Sequence, residues 1–175
     1  MSKIRKIYEG RIIDVNIETA LMPDGREVDL EIIKHPGGAC VLPLHDNGDV
    51  TLVRQFRHAA GGVIWEVPAG RIDDEERAEV CAIRELKEEV GLIAGKVEKL
   101  GEYISTPGFC TEVVHIYLAS SLTVCEQELE DDEFIEVVRL PFDEALGKVD
   151  SGEISDGKTV VALLMAARKI NGSKS

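Results

Sequence analysis

Along the first part of the chain, short apolar runs alternate with polar residues and are separated by turn sequences. Period-two alternation of this kind predicts half-buried β-strands. Residues 4–34 predict short strands around the turn PDGRE. The runs ACVLPLHD and DVTLVRQFRH predict a strand pair joined by the turn DNGD, and VIWEVPAG predicts a further strand. This part of the chain is therefore expected to be rich in β-structure.

Between residues 73 and 91 the apolar residues recur every fourth position, which predicts an α-helix. The apolar face of this helix consists of Ala78, Ala82, Leu86 and Val90. Asp73 and Glu76 have the spacing of a capping box, and Gly91 is placed to end the helix.

The second half of the chain predicts further strands and two more helices. KVEKLGEYIST and EVVHIYLASSL predict strands on either side of the break PGFC. The acidic loop CEQELEDDE leads into the strand FIEVVRLP and the short helix FDEALGKV. The last element, SDGKTVVALLMAARKI, predicts a buried helix with Ser155 or Asp156 as its N-cap. Strands with helices interposed at irregular intervals favour an α+β or layered fold.

The charge of the chain restricts its partners. Its 175 residues contain 33 acids and 20 bases, for a net charge of -13. Sequence-independent binding of nucleic acid rests on neutralisation of phosphates by Lys and Arg, so a nucleic-acid partner is not expected. An anionic substrate would need a local device such as a metal ion or a few arginines.

The remaining composition points to a soluble, cytoplasmic protein with no membrane partner. No apolar stretch reaches the length of a membrane span, and the N-terminus has no apolar signal segment. The scattered cysteines form no CxxC pair, which predicts reduced thiols in the core rather than a zinc site. These cysteines are Cys40, Cys81, Cys110 and Cys125.

Three carboxylates, Glu85, Glu88 and Glu89, crowd the end of the first predicted helix. Like charges at these spacings cost about 0.2–0.5 kcal/mol per pair. Acids in the last turn also oppose the helix dipole by about 0.3–1 kcal/mol each. One interpretation is a solvated face of an acidic protein. The other is a divalent-cation site, because Mg²⁺ is bound by carboxylates together with water and substrate phosphates.

The acidic cluster is part of a longer pattern that runs from Gly70 to Leu92. Glu76 follows the glycine after five residues, and the run RELKEEVGL follows after seven more. Every fixed position of the Nudix box is matched, so the chain resembles the Nudix hydrolases. The resemblance implies a Nudix α/β/α sandwich with a mixed sheet, preceded here by N-terminal antiparallel β-strands. It also implies Mg²⁺ or Mn²⁺ held by the helix.

Carried over position by position, the resemblance implies that Glu85 and Glu89 are the main metal ligands. Glu88 would contribute directly or through water, and it counts among the expected catalytic residues. The carbonyl of Ala69 would be a further metal ligand.

The other fixed positions of the box imply supporting roles. Arg84 would orient the glutamates by ion pairing, and Glu76 would brace the loop. Gly70 would allow a tight turn between the strand and that loop.

The stretch LVRQFRHAAGGVIWEVPAGRID resembles the ADP-ribose and nucleoside-diphosphate-sugar pyrophosphatases within this family, and Pro107 matches a proline of that subfamily. Arg54 and Arg57 would point to opposite faces of a strand, so only one is expected to reach the substrate. Arg57 is favoured for the diphosphate, since a guanidinium matches phosphate geometry. Either could instead be an ordinary strand arginine. Glu112 resembles a substrate-contacting glutamate, with a surface role as the alternative.

The subfamily implies a catalytic base on an acidic loop after the box, where this chain has ELEDDEFIEV. Glu133, two residues before Ile135, is the predicted base, and Glu130 is second in line. The alternative is a solvated acidic loop without chemistry.

The subfamily also implies N-terminal strands that exchange across a two-fold homodimer. Residues 1–37 are expected to form this appendage, and residues 38–175 the Nudix hydrolase domain. Glu31 matches a family position near the nucleotide base. Leu30 stands where some members have a stacking tryptophan, which leaves base recognition open.

The expected function is metal-dependent hydrolysis of ADP-ribose, or of a related nucleoside diphosphate sugar, to a nucleoside monophosphate and a sugar phosphate. A preference for GDP-mannose, a Nudix module that senses ADP-ribose without cleaving it, and an acidic cation-binding scaffold are the alternatives. The three intact box glutamates favour the enzyme, because a sensor has no need to keep all of them.

Overall fold

The structure is a computed structural model and describes residues 3–129 and 134–172. Its strands are β1 (Ile4–Glu9), β2 (Asp14–Leu21), β3 (Glu27–Lys34), β4 (Gly38–Pro43), β5 (Asp49–Arg57), β6 (Gly62–Glu66), β7 (Ala69–Arg71), β8 (Leu92–Ile104), β9 (Val113–Val124) and β10 (Ile135–Pro141). Its α-helices are α1 (Ala78–Val90), α2 (Phe142–Asp150) and α3 (Gly157–Gly172).

The strands form three sheets in the described part of the chain. One is the antiparallel sheet β1-β2-β3, and another is the antiparallel sheet β10-β5-β6. The third has the order β7-β4-β9-β8 and is mixed, because β4 and β9 run parallel while the other neighbours are antiparallel.

The mixed sheet lies between helices because both of its faces are apolar. Successive side chains of a strand point to opposite faces. In β4, Cys40 and Leu42 therefore join the core beneath α2 and α3, whereas Ala39 and Val41 join the core beneath α1. Strand β9 divides its residues in the same way. The predicted α+β fold with an α/β/α sandwich and N-terminal antiparallel strands is confirmed.

The predicted pairing of β4 with β5 is wrong. Among the described residues, their backbones form only an isolated bridge between Leu44 and Val50, near the turn, and the two strands belong to different sheets. Pro43 has no N–H to continue a ladder at the end of β4. The edges of β4 are taken instead by β9 and β7. The turn therefore carries the chain from one sheet to the other.

The predicted capping box at the start of α1 is also wrong. The helix begins at Ala78, and its N-cap is Arg77, whose side chain makes no capping hydrogen bond. Asp73 and Glu76 form a turn before the helix, in which the Asp73 N–H donates to Glu76 Oε2 at 3.2 Å. The predicted end is confirmed, since Gly91 has a left-handed φ of 62° and its N–H donates to the Leu86 and Lys87 carbonyls.

The N-terminal sheet is attached by backbone hydrogen bonds to the loop between β8 and β9. The Ile33 N–H donates to the Phe109 carbonyl at 2.7 Å, and the Thr111 N–H donates to the Ile33 carbonyl at 3.0 Å. Arg71 adds a side-chain hydrogen bond to the Arg11 carbonyl at 2.7 Å. These contacts fix one side of the N-terminal sheet beside strand β7.

Two of the four thiols lie outside the core. Cys40 and Cys81 are buried, whereas Cys110 and Cys125 are half-buried, and all four are free. Burial raises the pKa of the Cys40 and Cys81 thiols to about 12. The expectation of reduced core thiols is therefore correct for two positions only.

Among the helices that the structure describes, none is long and apolar enough to cross a membrane.

Candidate active site

A cavity of about 560 Å³ opens between α1, β5 and the N-terminus of α3. Glu85, Glu88 and Glu89 of α1 form one side of it, which we call the acidic wall. Arg57 and Lys158 line the same cavity and form what we call the basic wall. An anionic ligand together with a cation could therefore be held in a single cavity.

Helix packing places the acidic wall. Ala82, Leu86 and Val90 are buried against the mixed sheet, so the helix cannot rotate freely. Glu85 and Glu89 lie one turn apart beside this apolar face, and they are only 7% and 2% exposed. Buried carboxylates are costly unless a cation or hydrogen-bond donors accompany them.

Arg84 supplies a cation to two members of the acidic wall. Its Nη1 donates to Glu85 Oε1 at 2.7 Å and to Glu88 Oε2 at 3.0 Å. Its Nε and Nη2 donate to the two carboxylate oxygens of Glu76 at 3.1 and 3.2 Å. These bonds to Glu76 are the main cause that raises the pKa of Arg84 and lowers the pKa of Glu76. Glu76 therefore holds the arginine from the side away from the acidic wall.

Gly70 gives Glu85 its room. It lies inside β7 rather than at a tight turn, and its φ is not in the left-handed region. A Cβ at this position would stand 1.6 Å from Glu85 Oε1. The predicted reason for the glycine is therefore wrong. The site needs the absence of a side chain there, and the backbone conformation itself does not require glycine.

Backbone contacts fix the end of the acidic wall. The Ala69 N–H donates to Glu89 Oε2 at 2.9 Å, which brings β7 against the carboxylate. Gln127 Nε2 donates to the Glu89 carbonyl, and the Glu128 N–H donates to the Glu88 carbonyl at 3.0 Å. The residues that lead into the acidic loop are thus joined to the last turn of α1.

The donor set of the acidic wall suits a hard divalent cation. Its carboxylates are oxygen ligands, which Mg²⁺ and Mn²⁺ prefer, and two of them are buried beside the cavity. Within residues 3–129 and 134–172, no three His, Cys, Asp or Glu side chains already stand in coordinating geometry. Arg84 lies among the carboxylates and bridges two of them.

The basic wall is organised by a buried carboxylate that the sequence does not single out. Arg57 donates from Nε and Nη2 to the two oxygens of Glu66, each at 2.9 Å. Lys158 Nζ donates to Glu66 Oε2 at 2.7 Å. Burial opposes ionisation of Glu66, but the hydrogen bonds from Arg57 and Lys158 outweigh it and hold the pKa below its usual value. Glu66 is therefore a carboxylate shared by two cations.

The other predicted substrate residues are spread over the molecule. Arg54 lies on the face of β5 away from the cavity, where Nη1 donates to Glu136 Oε2 at 3.0 Å. Glu112 lines the cavity, with Oε1 3.6 Å from His35 Nδ1. Glu31 is exposed on β3, and Pro107 lies in the turn after β8. Neither residue lines this cavity. The predicted base Glu133 and its reserve Glu130 lie outside the described residues.

Comparisons with known proteins show which proteins the chain is similar to. A protein-family model described as NUDIX domain matches residues 34–163. The chain is 41% identical over 160 residues to an ADP-ribose pyrophosphatase of Bacillus subtilis, which covers 90% of this chain and 86% of that protein. It is 41% identical over 143 residues to a GDP-mannose pyrophosphatase of Klebsiella pneumoniae, covering 76% of this chain and 72% of that protein.

The fold has a counterpart among solved structures. A crystal structure of an ADP compounds hydrolase superposes with a TM-score of 0.84 and covers 98% of this chain and 93% of that chain. The two sequences are 20% identical, so this likeness concerns the fold.

Proposed function

The chain belongs to the Nudix family, and from this membership we propose that it hydrolyses the diphosphate bond of ADP-ribose or a related nucleoside diphosphate sugar. The products are a nucleoside monophosphate and a sugar phosphate. The chain is thus a Nudix pyrophosphatase, a hydrolase that acts on a phosphorus-containing anhydride.

The observation that carries this proposal is the meeting of the acidic and basic walls across one cavity. A diphosphate carries negative charge, which the positive guanidinium of Arg57 can receive. The carboxylates opposite would repel that charge unless a cation lies between them. A metal-bound diphosphate offsets the charges of both walls, whereas a free cation offsets only that of the acidic wall and a neutral sugar offsets neither.

The residues proposed to hold the cation are Glu85, Glu88 and Glu89, with the carbonyl of Ala69 as a further ligand. We propose Mg²⁺ as the ion, with Mn²⁺ as its substitute, since both take carboxylate ligands. When bound, such an ion lowers the pKa of water and polarises phosphoryl oxygens. Arg84 donates hydrogen bonds to Glu85 and Glu88 and so compensates part of their charge.

The chain's own contribution to the reaction is binding and proton transfer. Arg57 orients the diphosphate, and Glu112 is placed on the same cavity to contact the substrate. A carboxylate base must remove a proton from water as its oxygen bonds to phosphorus and the bridging P–O bond breaks. Glu133 remains the predicted base, because the described residues that precede it in the acidic loop, Gln127 and Glu128, are hydrogen-bonded to the last turn of α1.

The function is tested by product analysis. We expect the purified chain with Mg²⁺ to convert ADP-ribose to AMP and ribose 5-phosphate, and EDTA to abolish this conversion. Chromatography of the products separates this cleavage from hydrolysis elsewhere in the molecule. Tight binding of ADP-ribose with no turnover would contradict the enzyme and support the sensor. Binding of Mg²⁺ without any nucleotide would support the acidic scaffold.

A preference for GDP-mannose is the second candidate, because the Klebsiella pneumoniae protein named for that substrate shares 41% identity with this chain. The acidic and basic walls serve either substrate, since both contain a diphosphate. The same product assay with GDP-mannose and UDP-glucose ranks the candidates by kcat/KM.

We also propose that residues 1–37 are a dimerisation appendage. All six residues of β1 are exposed, and among the apolar ones Tyr8 is 57% exposed and Ile4 is 61% exposed. Exposed apolar side chains on an edge strand favour pairing with a second copy. Sedimentation velocity of the full chain is expected to give twice its mass of 19.2 kDa. A monomer at micromolar concentration would contradict the dimer.

A further inference from the structure

Lys158 is an unusual lysine, because it is largely buried in the first turn of α3. Only 18% of its side chain is exposed, and its ammonium donates to Glu66 at 2.7 Å and to Asp156 at 3.1 Å. Lysine is seldom buried unless its charge is paired with a carboxylate or contacts a ligand. Lys158 lines the cavity, so its charge faces the space in which a ligand would bind.

The helix start fixes the position of Lys158. Asp156 Oδ2 accepts hydrogen bonds from the Thr159 N–H at 3.0 Å and from Thr159 Oγ1 at 2.6 Å, so Asp156 is the N-cap. The Val67 N–H donates to Thr159 Oγ1 at 2.8 Å. The N-terminus of α3 is therefore joined to the end of β6, next to Glu66, and Lys158 has little freedom to move away.

Hydrogen-bonding capacity remains on both cations after Glu66 is satisfied. An ammonium has three donors, and two of those of Lys158 have partners in the described part of the chain. Arg57 uses Nε and Nη2 on Glu66, and within the described part of the chain its Nη1 group, with two N–H donors, has no hydrogen-bond partner. Two cations with unused donors, held by one carboxylate, present a preorganised site for an anion.

An independent signal comes from Gln55, two residues before Arg57 on the same face of β5. This side chain lines the cavity and is 6% exposed. Its Oε1 has no hydrogen-bond partner among the residues that the structure describes. A buried amide oxygen without a partner costs free energy, so its place on a cavity wall indicates a ligand or water that donates to it.

We propose that Lys158 is a second phosphate-binding residue, which together with Arg57 contacts the diphosphate of the substrate, with Glu66 as the residue that positions both. This inference rests on the proposed function, because it concerns the same cavity. Gln55 Oε1 accepts a hydrogen bond from a hydroxyl group or water beside the diphosphate. The basic wall then offers the Lys158 ammonium and the Arg57 Nη1 group to two phosphate groups.

The charges agree with this assignment. Glu66 and Asp156 together balance Arg57 and Lys158, so the basic wall is neutral without a ligand and is not a strong trap for any anion. Binding then depends on the placed donors rather than on net charge. Selectivity for a diphosphate over a single phosphate follows, because two separate donor groups must be satisfied.

The test is the affinity of the protein for the α,β-methylene analogue of ADP-ribose, measured by calorimetry with Mg²⁺ present. A CH₂ group replaces the bridging oxygen of the diphosphate, so the analogue is not hydrolysed while the cation offsets the charge of the acidic wall. Lys158→Gln keeps a hydrogen-bond donor for Glu66 and removes the charge. Because hydrogen bonds to charged groups are the stronger class, Kd is expected to rise about tenfold to a hundredfold. Lys158→Arg restores the charge but spreads it over a larger, planar group, so its Kd is expected to lie between those of the wild type and of Lys158→Gln.

Lys96→Gln is the matched control, because it removes the same charge from an exposed residue that pairs with Glu98 on the surface. This variant should bind like the wild type. Equal affinity of the Lys158→Gln and Lys96→Gln variants would overturn the proposal, as would wild-type protein that does not bind the analogue in the presence of Mg²⁺. A protein that binds with this Lys158 dependence but shows no turnover with Mg²⁺ would refute the proposed hydrolysis and leave the phosphate contact intact.

Discussion

Replacing Glu89 with glutamine is expected to lower kcat for ADP-ribose hydrolysis by about 10²- to 10³-fold. Glu89 is 2% exposed, and its Oε2 accepts a hydrogen bond from the Ala69 N–H at 2.9 Å. Glutamine has the same shape and can accept that bond through its amide oxygen, so the fold is retained. The substitution removes a negative charge from the proposed cation site. A bound cation stabilises the charge of the transition state by several kcal/mol, and each 1.4 kcal/mol lost lowers the rate about tenfold.

The control for this substitution lies on the same helix. Glu79 also belongs to α1, but it pairs with Arg77 at 2.7 Å and its side chain is 42% exposed. Glu79→Gln makes the same chemical change outside the acidic wall and should keep kcat within about twofold, since such exposed pairs contribute little. Initial rates across a Mg²⁺ titration compare the two. Equal rates for both variants would remove Glu89 from the proposed ligand set.

Local patterns predicted the elements that carry the acidic wall. The four-residue spacing of α1 gave the face that is buried, and a helix of that orientation necessarily carries Glu85 and Glu89 beside the core. Gly91 ended the helix as expected, because a left-handed residue is needed there. The buried face and the end of the helix depend on residues within one or two helical turns of each other. A short stretch of sequence is therefore enough to predict them.

The basic wall could not be predicted in the same way. Glu66 and Lys158 are joined across 92 residues, and neither belongs to a short motif that announces the contact. A glutamate inside an apolar strand and a lysine at the start of an apolar helix are the only local signals. The wrong β4–β5 pairing has a similar cause, because the choice of strand partner depends on β9, far along the chain.

The capping box failed for a different reason. Asp73 and Glu76 have the spacing of a capping box. However, Glu76 accepts hydrogen bonds from Arg84, and the spacing alone gives no information about that contact. Those bonds place Arg84 against Glu85 and Glu88, where it relieves the repulsion between like charges. Glu76 in the turn before the helix thus positions Arg84 beside the acidic wall and does not cap the helix.

Replacing Gly70 with alanine is expected to lower kcat by about 10²-fold with the chain still folded. The new Cβ would stand 1.6 Å from Glu85 Oε1 and 2.2 Å from its Cδ. Alanine tolerates the backbone of β7, because Gly70 has no left-handed φ. The Glu85 side chain must therefore move and lose its 2.7 Å contact with Arg84. A displacement of about 1 Å at a catalytic constellation costs about 10²-fold in rate.

A double-mutant cycle identifies the clash as the cause. Gly70→Ala alone should lower the free energy of unfolding by about 1–3 kcal/mol, as overpacking does. In the Glu85→Ala background that cost should largely disappear, because the carboxylate that the new methyl group meets is gone. Gly62→Ala, in a strand with no atom within 4 Å of the added Cβ, is the control for glycine replacement itself. If Gly70→Ala cost the same in both backgrounds, the glycine would be needed for the backbone of β7, and the close approach of Glu85 would not be the reason for its presence.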